Sequence, residues 1–226
     1  MPYNYKKIMQ KNLTAVVTVR KGSVRVPNKN LKLFCGKNIL IHKIEVLKKI
    51  KGIDEIIINT DSDEAIAIAQ KYNVSHFRRE DYFASSECTN SEFWANIAQN
   101  TKSKYIMFTH CTNPLLKAET YIKFIEIFKK HKEKYDSFNT VTDVKEFLFV
   151  KNKPINFDLA KAPNSQDLPN TFKLNFAINI LLTEQMFKTK TLIGKNPYFY
   201  TLDEVEGYDI NTSLEFEFAE YLFKNK

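Results

Sequence analysis

Arg20, Lys21, Arg25, Lys29 and Lys32 share one short segment with Gly22, Ser23, Pro27, Asn28 and Asn30. Such a loop presents guanidinium forks, ammonium point charges and backbone N–H groups together. That combination suits an anion of several charges, such as a polyphosphate. Gly22 permits close backbone approach, Arg20 can grip two phosphate oxygens at once, and Lys29 supplies a movable charge. The loop follows the apolar run Leu13–Val19 near the start of the chain, where open α/β sheets place their ligands. Neither GxGxxG nor GxxxxGK[ST] occurs, so a dinucleotide-binding turn and a Walker loop are both excluded. Pattern alone leaves a solvated basic loop behind a buried strand as the plain alternative.

The rest of the chain narrows the chemistry by exclusion. Cys35, Cys88 and Cys111 form no CxxC pair, which argues against a zinc site or a disulfide framework and for a reduced, cytoplasmic setting. His110-Cys111 resembles a nucleophile pair, but neighbours on a strand point to opposite faces, and no activating partner is evident. A net charge of +8, from 34 basic and 26 acidic residues, suits an anionic ligand. The lysines spread along helix-like segments such as 128–134 and carry no nucleic-acid signature, so no nucleic-acid partner is expected. No apolar stretch approaches the ~18 residues of a membrane span, and the opening MPYNYKKIMQKN lacks the apolar core of a secretory signal.

Those residues need a scaffold, and hydrophobic periodicity supplies one. With 43% hydrophobic residues, including 18 Phe and 11 Tyr, the 226-residue chain is ample for one core, and 5 Gly with 7 Pro leave no room for long linkers. Strands are expected at 13–19, 54–59, 74–78 and 104–109, with helices at 39–50, from about 61 to 72, 90–100 and 118–131. Asp61 with Glu64 reads as the N-cap of the second helix. This βαβ alternation implies a mainly parallel sheet with helices on both faces. After Tyr135 the rhythm changes: strands are expected at 137–142, 145–151 and 172–182, a turn-rich stretch at 154–169, and a C-terminal helix behind the capping box at 212–215.

The loop and several downstream segments together resemble one family. Arg20-Lys21-Gly22-Ser23, the run Pro27–Lys32 and Gly36-Lys37 resemble the ARGGSKGIPxKNIKxxxGKPLI signature of the acylneuraminate cytidylyltransferases, the CMP-sialic acid synthetase group. Arg25-Val26-Pro27 is also similar to the RLPGK of the related CMP-Kdo synthetases. Collinear with these, 59–64 resembles STDxxEI, 77–79 FxRP, 112–115 part of QPTSPLR, 166–169 part of RQDLP, 175–178 NGAIY and 208–211 the metal-binding DID.

The resemblance implies a three-layer Rossmann-like nucleotidyltransferase fold within a single domain. Its nucleotide-binding core would span 13–135, a small β-rich dimerisation or lid excursion 136–175, and a return to the core 176–226. It implies that CTP and an acidic sugar of sialic, pseudaminic, legionaminic or Kdo type give a CMP-sugar and pyrophosphate for surface-glycan synthesis, with Mg²⁺ and a homodimer. Carried over position by position, the nucleotide falls to Arg20, Gly22, Ser23, Lys29, Asn30, Arg78 or Arg79, and Ser91. The acceptor falls to His110, Thr112, Asn113, Gln166 and Asn175, the metal to Asp209 and Asn211, and catalysis to Arg20, Lys29 and Asp209.

Departures from the pattern gather on the metal and acceptor side. Asn211 stands where the family has an aspartate, His110 replaces a glutamine, Leu116 and Ser165 replace arginines, and Phe176 replaces a glycine. Lys161 is a candidate replacement cation, while Asp203, Glu204 and Glu206 are expected on a solvent-facing turn. Two other readings stay open: a cytidylyltransferase of the same fold with a different acceptor, and a non-catalytic nucleotide-binding homologue.

Overall fold

The computed structural model describes residues 11–23 and 25–225; the opening decapeptide, which enters the signal-sequence reading, and Val24 lie outside the described residues. In chain order the elements are β1 (Lys11–Val19), β2 (Leu33–Phe34), β3 (Lys37–Asn38), α1 (Ile39–Leu47), β4 (Glu55–Thr60), α2 (Asp63–Lys71), β5 (Ser75–Arg78), α3 (Asp81–Ala84) and α4 (Asn90–Gln99). There follow β6 (Ser103–His110), α5 (Ala118–His131), β7 (Ser137–Asp143), β8 (Phe149–Val150), β9 (Lys153–Pro154), β10 (Phe172–Leu182), α6 (Thr183–Thr189), β11 (Pro197–Thr201) and α7 (Ser213–Lys224).

Seven strands form one sheet in the order β11-β7-β10-β6-β1-β4-β5. All neighbours pair in parallel except β10, which runs against both β6 and β7. Alternation along β1 explains its central place. Leu13, Ala15, Val17 and Val19 face a large core built with α1, α2, α5 and α7, while Val16 faces a smaller core built with α4 and α6. β6 divides the same way, Tyr105 and Met107 to one side and Ile106 and Phe108 to the other. A strand buried on both faces is an apolar run rather than a half-polar one, the pattern expected of a covered parallel sheet.

The topology fixes where a ligand can sit. From β1 the chain builds outward through β4 to β5, then returns to lay β6 on the other side of β1. The switch point therefore lies between β1 and β6, and their carboxyl ends open a crevice there. In register, Thr18 pairs with His110, Val19 with Thr60, and Thr60 with Arg78, so the loops leaving these four strands share one edge.

Most expected elements form, with informative differences. Asp61 does not cap α2: the Ser62 side chain accepts from the Ala65 N–H, whereas Asp61 Oδ1 accepts from the Lys21 N–H at 2.8 Å. The expected strand at 145–151 is reduced to the two residues of β8, paired with β9 across Lys151 and Asn152, both with positive φ. A comparable hairpin, β2–β3, turns at Cys35 and Gly36 (φ 46 and 86), and the Asn38 side chain then caps α1 by accepting from the Ile41 N–H. β7 and β10 belong to the central sheet, so the segment that leaves it is 144–171. Glu206 is buried rather than solvent-facing, because its carboxylate accepts from the Lys117 N–H and pairs with the Lys117 ammonium at the start of α5, where no side chain of the helix provides a cap.

Candidate active site

The basic loop leaves β1 and is drawn back onto the sheet edge by named contacts. Gly22 has φ +69, and a Cβ there would meet no protein atom within 4 Å, so its requirement is one of backbone conformation beside open space. Arg20 Nη1 donates to the Ala84 carbonyl at 3.3 Å, which spans the loop to the end of α3. Asn28, with φ +50, closes a turn in which its carbonyl accepts from the Leu31 and Lys32 N–H groups at 2.8 Å. That turn directs Lys29 inward: it is buried, and its Nζ donates to the Ile210 carbonyl at 2.5 Å. Burial pulls the Lys29 pKa below its ordinary value, Asp209 opposes that shift, and Arg25 reinforces it. Asn30 holds a buried side-chain oxygen with no hydrogen-bond partner in the protein, while Ser23 is half-buried in the loop.

The 203–212 segment forms the opposite wall. It crosses β7 and β10 at Gly207, where a Cβ would lie 2.6 Å from Thr142 Oγ1 and 3.2 Å from Asn175 Nδ2, so only glycine fits. The Ile210 N–H donates to the Thr112 carbonyl at 2.9 Å, joining this wall to the loop after β6. Asp209 Oδ1 is buried and meets no protein donor, whereas its Oδ2 accepts from Asn211 Nδ2 at 2.8 Å. Asn211 Oδ1 in turn accepts from Arg25 Nη2 at 2.9 Å. Asp209 therefore offers one free carboxylate oxygen to a hard cation, but the Asn211 side chain is engaged at both ends and offers none. Among the described residues no group of three His, Cys, Asp or Glu is arranged to hold a metal ion. The donor set thus fits a single cation completed by phosphate oxygens and water, and does not fit a two-ligand protein site.

The arginine doublet at the end of β5 divides into two different residues. Arg79 is buried; its Nε donates to Asn59 Oδ1 at 2.7 Å, its Nη2 to the Asn59 and Val19 carbonyls at 2.9 and 3.4 Å, and its guanidinium lies 4.5 Å from the Phe93 ring centroid. Burial lowers its pKa to about 10, so it stays charged at neutral pH and ties together the ends of β1 and β4. Arg78 is exposed and pairs with Asp63. Ser91 is exposed on the first turn of α4, whose capping box is made by Thr89 and Glu92.

At the carboxyl end of β6, His110 stacks on Phe176 with ring centroids 5.2 Å apart and planes inclined by 17°. Burial pushes its pKa down to about 4, which leaves the imidazole neutral. Phe176 stands at φ +53, a left-handed position that favours glycine, at the irregular pairing between Leu174 and Asn179. Cys111 faces the large core instead, and burial raises its thiol pKa to about 12, so it is not an activated nucleophile.

Asn113 and Asn175 hold the wall rather than the open space. Asn113 Nδ2 donates to the Asn175 and Tyr208 carbonyls, and the Asn175 amide is bonded to Thr140 Oγ1, Thr142 Oγ1 and the Ala177 N–H. Thr112 is buried beside them. Gln166 and Lys161 are exposed on short turns of the 144–171 segment, and no contact among the described residues brings them to the sheet edge.

Three residues matter more than their sequence signals indicated. Arg25 and Asp61 tether the loop; Lys43, buried on the apolar face of α1, donates to the Asn113 carbonyl at 3.1 Å and Tyr121 Oη at 2.8 Å. A lysine at helical spacing among Leu40, Ile44 and Leu47 was the available clue to the last.

An open α/β sheet with a cationic loop and a lone carboxylate at its switch point is a doubly wound ligand-binding fold whose site suits an anion of several charges. The family model for cytidylyltransferases matches residues 14–211. The chain belongs to the cytidylyltransferase family. It is 24% identical to the post-translational flagellin modification protein B of Campylobacter coli, over 95% of this chain and 96% of that protein. It is 26% identical to a pseudaminic acid cytidylyltransferase of Campylobacter jejuni (strain 81-176), over 95% of this chain and 97% of that protein. Its fold matches a CMP:2-keto-3-deoxy-manno-octonic acid synthetase complexed with CTP, at a TM-score of 0.70 and 12% identity over 95% of this chain and 99% of the other. It also matches the 4-diphosphocytidyl-2C-methyl-D-erythritol synthase of Anaerococcus prevotii, at a TM-score of 0.71 and 15% identity over 95% and 96% of the two chains.

Proposed function

We propose that this protein transfers the cytidylyl group of CTP to a hydroxyl of an acidic sugar, releasing pyrophosphate and forming a CMP-sugar for surface-glycan synthesis. The sugar oxygen bonds to the α-phosphorus as the bond to the bridging oxygen breaks, so the protein's task is alignment and neutralisation of the departing charge. The observation that carries this reading is the meeting of the β1 loop with the 209–211 segment: Lys29 reaches the Ile210 carbonyl beside an Asp209 oxygen that no protein donor uses.

In this reading Arg20, Gly22, Ser23 and Lys29 hold the phosphates. Asn30, with its unpartnered oxygen, faces the nucleoside. Arg79 frames the base subsite by fixing the strand ends, with Arg78 and Ser91 on its outer rim. When bound, Mg²⁺ neutralises phosphate charge, and Asp209 is the side chain that holds it. His110 and Thr112 border the acceptor, Asn113 and Asn175 set its wall, and Gln166 reaches an acceptor in its own or a partner subunit. An acidic acceptor is supported by relatives whose names specify pseudaminic and N,N'-diacetyllegionaminic acids.

Homodimerisation is supported by exposed Phe147, Phe149, Val150, Ile155 and Leu159 on the 144–171 segment. No helix among the described residues is long and apolar enough to cross a membrane. We place the reaction in the cytoplasm, where CTP is available. Calorimetry with each of the four nucleoside triphosphates, paired with light scattering for mass, tests the reading. CTP should bind at least tenfold more tightly than the others to a dimer; equal affinity for all four would defeat the assignment of the base subsite.

A further inference from the structure

Asn211, two residues beyond Asp209, is in direct contact with the β1 loop opposite it. Asn211 carries no charge, and the guanidinium of Arg25 is seated on its oxygen at 2.9 Å, while Asn211 Nδ2 reaches back to Asp209 Oδ2 at 2.8 Å. The backbone fixes this chain from behind: the Asn211 and Thr212 N–H groups donate to Glu215 Oε2 at 2.6 and 2.7 Å within the capping box of α7. Arg25 is exposed and carries no carboxylate partner among the ion pairs of the described residues, so one hydrogen bond orients it while its other donors stay open toward solvent. It also lies close enough to Lys29 for the two charges to interact. A guanidinium held beside a lysine, with its fork free, is an arrangement made to meet phosphate oxygens.

We propose that Arg25 is a resident cation of the nucleotide site, anchored on Asn211 where a second acidic residue would otherwise help seat a metal ion. The triphosphate is then neutralised by Arg25 and Lys29 from the protein, with at most one divalent ion held through Asp209. This rests on the CTP-binding reading above. It adds that charge supplied elsewhere by a metal-carboxylate contact is here built into the loop. The contact joins residues 186 positions apart: an aspartate at 211 would capture Arg25 as a full ion pair, and a neutral residue at 25 would leave Asn211 Oδ1 without this donor.

The test is an exchange of protein charge for metal charge. CTP is titrated calorimetrically into the full-length protein in EDTA, and Mn²⁺ binding is read by electron paramagnetic resonance on the same samples without CTP. The wild type should bind CTP in EDTA. Arg25→Ala should weaken that binding at least tenfold, while Lys37→Ala, which removes an exposed lysine paired with Glu45, should change it less than twofold. The double variant Arg25→Ala/Asn211→Asp should bind Mn²⁺ at least tenfold more tightly than wild type and should recover CTP affinity when Mn²⁺ is added. Unchanged CTP affinity in Arg25→Ala, or no gain of Mn²⁺ affinity in a double variant that melts like wild type, overturns the proposal. Failure of the wild type to bind CTP with or without metal removes the reading on which it rests.

Discussion

Replacing Arg79 with methionine separates the two arginines that the sequence leaves interchangeable. The substitution keeps an apolar stem against Phe93 but deletes donors at 2.7 and 2.9 Å to Asn59 and a longer one to Val19. Each charge-assisted bond is worth about 1.5–3 kcal/mol, and the acceptors left buried cost about 1–3 kcal/mol apiece, while removing a buried charge returns several kcal/mol. The net loss should be about 3 kcal/mol. For a chain of this size that lowers Tm by roughly 6–12 °C, at about 2–4 °C per kcal/mol. Arg78→Ala breaks a pair whose side chains are 55% and 87% exposed, worth at most about 1 kcal/mol. Scanning calorimetry of both variants at low and high salt reads the difference directly. Equal losses, or a larger one for Arg78→Ala, would refute the assignment of Arg79 as the clamp between β1 and β4.

Other substitutions and conditions probe the remaining walls of the site. Lys29→Met preserves the buried stem but removes the ammonium, and should weaken CTP at least tenfold by calorimetry, about 1.4 kcal/mol, with a smaller fall in melting than Arg79→Met because only the Ile210 carbonyl loses its donor; undiminished affinity would contradict its phosphate role. Gly207→Ala forces a Cβ to within 2.6 Å of Thr142 Oγ1 and should cost about 1–3 kcal/mol in urea unfolding, whereas a neutral result would mean that the 203–212 segment is not pinned there. Because the native His110 pKa is near 4 and its ordinary value is 6.5, the unfolded chain takes up a proton in that interval that the native protein excludes. The His110 contribution should therefore make stability rise with pH between those values, and a His110→Gln variant should flatten that slope. An identical slope in the variant would refute the burial argument.

The cationic loop after β1 and the strand that carries it were legible because their signals are local. An apolar run, a glycine at positive φ and cations spaced along one loop each act within a few residues, and β1, α5 and β10 follow their periodicity closely. What stayed hidden depends on contacts between distant segments. The sequence cannot say that Arg79 turns inward while Arg78 turns out, because that depends on Asn59 and Phe93. Nor can it reveal that Asp61 holds Lys21 rather than capping α2, since Ser62 next to it satisfies the same helix end. Residues 145–151 carry strand-forming side chains, but only Phe149 and Val150 find a partner, in the hairpin with β9. α6 and β11 escaped notice because α6 starts directly after β10 at Thr183, and β11 is a short edge strand. Asn211 read as a metal ligand standing in for an aspartate; the Arg25 contact that gives it a task spans nearly the whole chain.

The central claim is that the crevice between β1 and β6 activates CTP for attack by a sugar acid. Pyrophosphate release, followed with CTP, Mg²⁺ and a panel of sugar acids and their carboxylate-reduced counterparts, tests it most directly. The account predicts pyrophosphate and a CMP-sugar in equal amounts with at least one carboxylate-bearing acceptor, and none with its reduced counterpart. Turnover confined to acceptors lacking a carboxylate, or CTP bound without turnover on any acceptor, would contradict it.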